Sequence, residues 1–325
     1  PEVAHDFAIK SLKLNLIPES FFNVSNEEVL EINLFKKKVK NPIGLAAGFD
    51  KSAEVYNSLF RFGFGFIEVG TVTPVEQFGN PKPRVFRLED DKALINRLGF
   101  NNDGMEKIRS RILSHRKKGI LGINIGPNKE TKDQKNDFCL GLKSFFDIAD
   151  YITINISSPN TEGLRDFHNQ EKLEELLVSF NEIKKDKKSR IPLLLKVSPD
   201  IRDDNISNIV DVAKKNNISA IILTNTTNSN RNNLKSEFKK EEGGLSGKPI
   251  QKISTNLIKK FYRELNGELP IIGVGGIDSG KSAYEKMQAG ASLLQLYTGF
   301  VYKGPSVVKD IKKELIQILK SEGIN

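Results

Sequence analysis

Eight short apolar runs rich in β-branched residues recur along the chain, and each is followed by a longer stretch with helical periodicity. This alternation predicts β-strands joined by helices. An open doubly wound sheet would need fewer strands and a second domain, whereas eight such units close into a barrel. The sequence therefore predicts an α/β fold, a (β/α)8 TIM barrel with a small N-terminal helical extension. The predicted strands are 42–47, 64–72, 120–125, 151–157, 191–197, 219–225, 269–274 and 291–297.

Two of the helical stretches carry recognisable end signals. In the stretch from Asn102 to Gly119, Asn102 or Asp103 is the predicted N-cap, Glu106 completes a capping box, and the glycine is the stop. In residues 279–290 a serine opens the stretch and a glycine closes it. Both stretches are therefore predicted to be complete helices between consecutive strands.

Residues 1–35 precede the first strand and stand apart from the predicted barrel domain, residues 36–325. Their apolar residues follow a helical spacing that fits two interpretations. The segment either caps the bottom of the barrel or forms an amphipathic helical pair that lies on a membrane and admits an apolar ligand. The apolar residues concerned are Val3, Ala4, Phe7, Ala8, Leu12, Phe21, Phe22, Val29 and Leu30.

Residues 226–250 also lie outside the eight strand and helix units. This segment is too long and too polar for an ordinary connection between a strand and the helix that follows it. It is therefore a candidate lid over the mouth of the barrel.

The composition excludes several classes of site. One cysteine, Cys139, and three scattered histidines provide neither a disulfide framework, nor a cysteine-based zinc site, nor the thiolates of an iron–sulfur cluster. A reducing compartment is therefore expected. No apolar run reaches membrane-spanning length, so no transmembrane helix is predicted. The chain begins at Pro1 without a methionine or a signal peptide, which suggests that its first residues have been trimmed.

The net charge of +9 favours anionic partners, and nucleic acid is one candidate. The lysine runs at 184–190 and 238–242 are mixed with acids, and tryptophan is absent, so no nucleic-acid groove is predicted. The excess charge instead suits anionic small ligands, a flavin phosphate or an anionic lipid surface.

The carboxyl ends of the predicted strands share one kind of chemistry, and barrels carry their chemistry at these ends. None of the eight ends carries a metal-ligand cluster or a pair of carboxylates. Each carries glycine, a neutral amide or hydroxyl, or a single lysine, which suits a flat, heteroatom-rich ring system with one or two negative charges. The eight ends read AAGFDK, EVGT, GINIG, INISSPN, LLKVS, ILTNT, GVGGI and LQLYTG.

Two of these features point to a flavin. The loops after strands seven and eight of a barrel commonly bind phosphate through backbone N–H groups, and Gly275 and Gly276 face Thr298 there. Lys196 lies in an apolar strand, where a lysine either snorkels to the barrel mouth or lies beside a cofactor that becomes anionic during turnover. A reduced flavin is such a cofactor.

Several motifs in fixed order resemble those of class 2 dihydroorotate dehydrogenase, the membrane-associated, quinone-reducing branch of its family. These are GLAAGFDK, EVGTVTP, NPKPRVFRL, NRLGFNN, NISSPNTEGLR, GGLSG and GVGGI, and PEVAHDFAIKSLK resembles the branch's N-terminal extension. The class 1 branch has a cysteine where this chain has Ser158, and Cys139 lies in the preceding helical stretch. Class 1 is therefore disfavoured, and an iron–sulfur partner subunit is not expected.

The resemblance implies an enzyme of de novo pyrimidine (UMP) biosynthesis. It would oxidise (S)-dihydroorotate to orotate, with one FMN per chain as cofactor, and pass the electrons to a membrane quinone. The same resemblance implies a peripheral membrane protein on an anionic membrane surface. The cytoplasmic face of a bacterial inner membrane is the expected location, and the mitochondrial inner membrane is the alternative.

The resemblance also implies which residues hold FMN. They come from the ends of all eight strands and from the 226–250 segment, which is consistent with a cofactor lying across the barrel mouth. The implied FMN residues are Ala47, Gly48, Thr71, Asn124, Asn155, Lys196, Thr224, Gly247, Gly276, Tyr297 and Thr298.

Ser158 is the implied catalytic base, which takes the C5 proton of dihydroorotate while a hydride leaves C6 for the flavin. A free serine is a poor base, so desolvation and a relay to Thr161 or water must help it. Lys51 would oppose the substrate carboxylate, and neutral amides would read the ring. The implied pyrimidine residues are Lys51, Asn96, Arg97, Leu98, Gly99, Phe100, Asn155, Asn160, Asn225 and Thr226.

The implied quinone site lies at the inner end of a tunnel beneath the N-terminal segment. His5, Arg87 and Tyr297 would form its polar end and hydrogen-bond the quinone carbonyls. The resemblance thus favours the membrane interpretation of residues 1–35 over the cap. The area of Phe7, Phe21 and Phe22 and the cations Lys10 and Lys13 agree with that choice.

Two other functions remain open from the residues themselves. A flavin barrel similar to dihydrouridine synthase would suit the basic charge, but it would need a catalytic cysteine and an RNA-binding appendage, and neither is visible. A non-catalytic barrel that only binds a phosphorylated ligand is the second. The colour of the purified protein, and its bleaching by dihydroorotate, would separate these possibilities.

Overall fold

The computed structural model describes residues 1–18, 28–229 and 231–323. Within this part, eight parallel strands close into a barrel in the order β10-β12-β13-β3-β4-β7-β8-β9. The predicted α/β barrel is confirmed, and each predicted strand overlaps one barrel strand. The strands are β1 (Ile32–Leu34), β2 (Lys37–Val39), β3 (Ile43–Leu45), β4 (Phe66–Val72), β5 (Val85–Leu88), β6 (Ala93–Asn96), β7 (Ile120–Ile125), β8 (Tyr151–Asn155), β9 (Leu193–Val197), β10 (Ala220–Leu223), β11 (Gly244–Gly247), β12 (Ile271–Val274) and β13 (Leu293–Leu296).

Helices surround the barrel and bury their apolar faces against it. Burial is nearly complete along the strands, because both faces of a parallel barrel strand are covered. The strand at 120–125 has the predicted bounds, and the other seven barrel strands are shorter than predicted at one or both ends. The helices are α1 (Glu2–Lys13), α2 (Tyr56–Leu59), α3 (Met105–Leu113), α4 (Gln134–Phe145), α5 (Gln170–Asp186), α6 (Asn205–Lys215), α7 (Gln251–Leu265), α8 (Gly280–Gln288), α9 (Thr298–Lys303) and α10 (Val307–Ser321).

The predicted cap of α3 is wrong, and the predicted cap of α8 is confirmed. The N-cap of α3 is Gly104, without a side-chain cap, and the helix ends at Leu113, before Gly119. Asn102 does not cap because its Oδ1 accepts the N–H groups of Gly104 and Thr73 and so holds the preceding loop. In α8, Ser279 forms a capping box with the third helical residue.

An antiparallel hairpin, β1 paired with β2, covers the bottom of the barrel. Leu34 and Val39 are buried there against interior residues that include Phe66 and Tyr151. Phe35 lies in the hairpin turn, with its ring centroid 5.9 Å from that of Tyr151. The hairpin therefore spans residue 35, where the sequence suggested a boundary between the N-terminal segment and the barrel.

A small antiparallel sheet borders the mouth at the opposite end of the barrel. Its three strands are ordered β11-β6-β5, and β11 comes from the predicted lid, residues 226–250. Gly244 to Gly247 pair with Asn96 to Ala93 along the whole of β11. The C-terminal part of the predicted lid is thus built into a wall of the mouth.

Helix α1 docks on the barrel through few contacts. Ile9 and Leu12 are buried in the main core, while Val3 and Phe7 are 81% and 71% exposed. Its first turn is tied to the barrel by the ion pair of Glu2 with Arg84 (2.6 Å), and its last turn by that of Lys13 with Glu54. The predicted apolar residues Phe21 and Phe22 lie outside the described residues. No described helix has the length and apolar character that a membrane crossing requires.

Candidate active site

One cavity opens at the carboxyl ends of the barrel strands. It brings together Ser158 and nearly all residues predicted for the cofactor and the pyrimidine, although these come from positions spread over 250 residues of sequence. Those that line it are Ala47, Gly48, Lys51, Thr71, Asn96, Leu98, Gly99, Phe100, Asn155, Ser158, Asn160, Lys196, Thr224, Asn225, Thr226, Gly247, Gly276, Tyr297 and Thr298.

Two predicted residues, Asn124 and Arg97, do not line the cavity. Asn124 is fully buried behind Thr71, whose hydroxyl donates to its Oδ1 (2.6 Å). Arg97 turns towards the 226–250 segment instead, where it pairs with Glu241 (2.8 Å) and lies over the ring of Phe86. Asn124 thus reaches the site through another side chain, and Arg97 contacts the mouth wall.

Ser158 follows β8 on a loop that runs along the cavity. Its side chain is buried, and its Oγ accepts the backbone N–H of Asn160 (3.2 Å). Arg165 fastens the loop by donating to Ser157 O (3.3 Å) and to Asp200 Oδ2 (3.0 Å). Among the described hydrogen bonds, this N–H is the partner of Ser158 Oγ, and no side-chain base contacts the hydroxyl.

The amides at the cavity wall are held in fixed orientations by one another. Asn155 Oδ1 accepts from the Ser157 hydroxyl (2.6 Å), and Asn225 Nδ2 donates to that hydroxyl (2.8 Å). Asn160 Nδ2 donates to the carbonyl oxygen of Asn96 (3.1 Å). Because these side chains are tied before any ligand arrives, the wall offers a preorganised pattern of donors and acceptors to a polar ring.

Two lysines bring positive charge to the cavity. Lys196 is 5% exposed, and burial lowers its pKa, although the Glu68 carboxylate acts in the opposite direction. Among the described contacts, its ammonium has no hydrogen-bond partner in the protein. Lys51 lies at the rim, and burial lowers its pKa to about 8, against the effect of nearby Glu2 and Asp50. Both ammonium groups are therefore available to an anionic ligand.

A glycine turn after β12 forms the end of the cavity where a phosphate was predicted. Gly276 has a φ of +73°, and a Cβ there would lie 2.5 Å from Gln251 Cβ, so glycine is required. Behind the turn, the fully buried Lys286 donates to Ser254 Oγ (3.0 Å). Burial lowers the pKa of Lys286 to about 7. Exposed backbone and a nearby cation are the features that anion sites share.

The predicted quinone residues are only partly brought together. His5 on α1 and Tyr297 at the end of β13 both lie against Phe49, with ring centroids at 4.9 Å and 6.2 Å. These aromatic rings lead from beneath α1 to the mouth cavity. Arg87 does not join them, because its guanidinium lies 4.2 Å from the ring centroid of Tyr302 and pairs with Glu89.

Burial keeps His5 neutral over most of the pH range. Its pKa is lowered to about 4, first by burial and then by the positive charge of Lys51. Burial likewise raises the pKa of Tyr297 to about 12. The two side chains at the inner end of the aromatic row are therefore uncharged hydrogen-bonding groups near neutral pH.

The sequence did not single out Glu68, which is fully buried inside the barrel below the cavity. Its carboxylate contacts four donors from other strands, so it belongs to the site. One sequence feature could have identified Glu68, because it is the single acid in the otherwise apolar run FGFIEVG. Burying a charge in such a run is costly without partners. Ser246 was also missed, and its hydroxyl lies 2.8 Å from that of Thr298.

Fold and site together are those of a (β/α)8 barrel enzyme with a polar cavity, lined by two lysines, at the carboxyl ends of its strands. The described residues hold no group of three or more histidine, cysteine or acidic side chains that would bind a metal. The family model for dihydroorotate dehydrogenase matches residues 29–319. The chain belongs to the dihydroorotate dehydrogenase family, within its quinone-dependent class, and is an oxidoreductase.

Similar proteins agree along the full length of the chain. Dihydroorotate dehydrogenase (quinone) of Bartonella tribocorum is 45% identical over 329 residues, which cover 100% of this chain and 91% of that protein. The mitochondrial enzyme of that name from Mus musculus is 43% identical over 335 residues, with 100% and 84% covered. A crystal structure of DHODH from Eimeria tenella in complex with ferulenol has a TM-score of 0.94 and 37% identity, covering 100% of this chain and 93% of the other. The resemblance that the motifs predicted is confirmed.

Proposed function

We propose that the chain oxidises (S)-dihydroorotate to orotate with FMN in the mouth cavity and passes the electrons to a membrane quinone, as a step of pyrimidine biosynthesis. The observation that carries this proposal is the single cavity that joins Ser158, Lys51, Lys196 and the glycine turn. Each of these features serves a different part of the reaction, and one cavity holds them all.

The residues present fit FMN. Lys196 has no partner for its ammonium among the described side chains, and it suits a ring system that gains negative charge. The turn at Gly276, with Lys286 behind it, suits a phosphate. Thr71, Asn155 and Thr298 would then hold the remaining polar edges. When bound there, FMN would supply the hydride acceptor of the reaction.

The protein's own groups would bind the pyrimidine and move its proton. Lys51 would oppose the carboxylate, and the fixed amides of Asn155, Asn160 and Asn225, with Asn96 beside them, would read the ring's carbonyl and N–H edges. Ser158 would take the proton from C5. The Asn160 N–H that donates to Ser158 Oγ favours the deprotonated hydroxyl, and burial of the loop excludes water from the reacting atoms.

The quinone would approach beneath α1. The exposed Val3 and Phe7, together with Lys10 and Lys13 on the same helix, suit an apolar membrane interior and its anionic headgroups. His5 and Tyr297 would contact the quinone carbonyls, while Arg87 would have to leave Tyr302 to do so. The chain would thus be a peripheral membrane protein, on the cytoplasmic face of a bacterial inner membrane as the sequence predicts.

A spectral experiment tests the proposed reaction. The purified protein is expected to be yellow, and anaerobic dihydroorotate should bleach its flavin absorption in stoichiometric amount. A screen of electron acceptors should then show turnover with ubiquinone or menaquinone analogues and little with fumarate or NAD. A colourless protein that does not take up FMN, or a flavin that dihydroorotate leaves oxidised, would refute the proposal.

Lys196→Ala is expected to lower the reduction potential of bound FMN and to weaken its retention. The variant removes a buried positive charge that favours the more negative, reduced state. The expected decrease is about 30 mV, a tenfold change in the redox equilibrium of a two-electron couple. Spectroelectrochemical titration measures the potential, and fluorescence of released flavin measures retention.

Two further variants sharpen the Lys196 test. Lys196→Arg should restore only part of the potential, because a planar guanidinium replaces a compact ammonium poorly in a closed site. Lys184→Ala is the matched control, since burial also lowers the pKa of Lys184, which lies on α5 away from the cavity. A wild-type potential in Lys196→Ala would leave Lys196 with a structural role only.

A further inference from the structure

Glu68 is an acid in the barrel interior, and every described contact to it is a hydrogen-bond donor. Asn124 Nδ2 donates at 2.8 Å, Gln295 Nε2 at 2.9 Å, Thr153 Oγ1 at 3.0 Å and Tyr151 OH at 3.3 Å. Asn124 donates to Oε1 and the other three donate to Oε2, an arrangement that suits an ionised carboxylate, which only accepts hydrogen bonds. The barrel therefore holds a satisfied negative charge at 0% exposure.

This carboxylate lies one layer below the cavity. Successive inward-facing residues of a strand are two apart, so Thr153 lies directly beneath Asn155, and Gln295 directly beneath Tyr297. Both upper residues line the cavity, and both lower ones donate to Glu68. The layer of Asn155 and Tyr297, directly above that of Glu68, is therefore the one that would carry the flavin ring.

A directed chain of hydrogen bonds connects Glu68 to the cavity wall. Because its amide N–H donates to the acid, Asn124 turns its Oδ1 to the Thr71 hydroxyl, which donates to it (2.6 Å). The Thr71 oxygen then accepts from Asn155 Nδ2 (3.0 Å). Asn155 is left with its Oδ1 for the Ser157 hydroxyl (2.6 Å). Glu68 can only accept hydrogen bonds. It therefore determines, for each side chain along this hydrogen-bond chain, which end donates and which end accepts.

Glu68 also acts on the charge of the site. It is the one acid that opposes the effect of burial on the pKa of Lys196, and it contributes to the raised pKa of Tyr151, after burial. Lys196 faces the cavity with its ammonium, while Glu68 faces the same layer from below. The field at the cavity floor therefore includes a positive contribution from Lys196 and a negative one from Glu68.

We propose that Glu68 is a positioning residue of the flavin site, which fixes the polarity of the Asn124–Thr71–Asn155 chain and, by offsetting Lys196, lowers the reduction potential of the bound flavin. This inference rests on the proposed function, since it requires FMN in the cavity. Glu68 does not touch the flavin or the substrate and acts through the side chains between them. A purely structural buried acid would affect stability and leave the potential unchanged.

The potential of bound FMN in Glu68→Gln tests the proposal. Loss of the negative charge should raise the reduction potential by about 30 mV, which for a two-electron couple is a tenfold change in the redox equilibrium. At a fixed solution potential, the ratio of reduced to oxidised flavin should thus increase about tenfold. This direction is opposite to that expected for Lys196→Ala. Asp150→Asn is the matched control, because Asp150 is a partly buried acid at the start of β8, held by Lys37 and Lys117. It should lower the melting temperature and leave the potential at the wild-type value.

Gln295→Met keeps the test decisive if Glu68→Gln does not fold. This variant removes one donor and preserves the charge, so the carboxylate is less compensated and the potential should fall. If the wild-type protein binds and reduces FMN, an unchanged potential in the variant that retains FMN overturns the role of Glu68. The proposed function then still stands. Wild-type protein that binds no FMN overturns the proposed function and this inference together.

Discussion

Ser158→Ala is expected to retain FMN and to slow flavin reduction by dihydroorotate by roughly 100-fold or more, the usual contribution of a general base. The Ser158 hydroxyl lines the cavity, and alanine has no oxygen that could take the C5 proton at this position. Anaerobic stopped-flow mixing of the variant with dihydroorotate measures the rate of bleaching directly. Reduction at the wild-type rate would remove Ser158 from the mechanism.

Ser158→Cys separates the loss of a base from damage to the loop. The pKa of a thiol is about 1.5 units below that of the tyrosine phenol, and it is far below that of an aliphatic hydroxyl. The rate of flavin reduction by this variant should therefore increase as the pH rises. Ser158→Ala should show no such recovery. If both variants have the same flat pH profile, the effect lies in the packing of the loop rather than in proton transfer.

Deletion of residues 1–18 is expected to abolish most quinone turnover while dihydroorotate still reduces the flavin. The deletion removes α1 and His5, but it leaves the hairpin at the barrel bottom. Removing the whole predicted N-terminal segment, residues 1–35, would also remove Leu34, which is 2% exposed against the barrel interior, and would therefore open the core. Steady-state assays with a long-chain quinone and a liposome flotation assay should lose their signals together.

Point variants control for the gross change that a deletion makes. Phe7→Ser removes an exposed apolar side chain from α1 and should reduce liposome binding without slowing flavin reduction. Val178→Ser, on the outer face of α5 and 42% exposed, is the matched control and should bind liposomes as the wild type does. A deletion variant that reduces a long-chain quinone at the full rate would favour the alternative interpretation of α1 as a cap.

The sequence was sufficient for the barrel and for the backbone positions of the site. Apolar runs such as 120–125 become strands because both their faces are covered, and this pattern is visible without coordinates. The ends of strands converge once a barrel closes, so Ser158, Lys196 and Gly276 could be placed in one site from their positions alone. The N-cap of α3 failed because Asn102 had a competing use for its side chain.

Side-chain directions account for the rest of the differences. Arg87 lies in β5 and Arg97 directly after β6, and neither strand is among the eight that the sequence predicted. Long side chains choose among partners that only the fold supplies, here Tyr302 and Glu241. Glu68 is the opposite case. The sequence shows that it lies in an apolar run, but it does not show which side chains donate to it. Three of its four donors come from strands more than 80 residues away, and no local pattern predicts that meeting.

The attachment of α1 has a consequence for the rate at which the aromatic row beneath it is reached. Two buried side chains, each worth about 1.5–3 kcal/mol, and two terminal ion pairs hold the helix. Detaching α1 therefore takes only part of the free energy that unfolds the barrel, and its amides exchange with solvent by local opening. The ion pair of Lys13 with Glu54 is partly exposed and weakens with salt. We therefore expect access to His5 to depend on the local opening of α1 and to increase with salt.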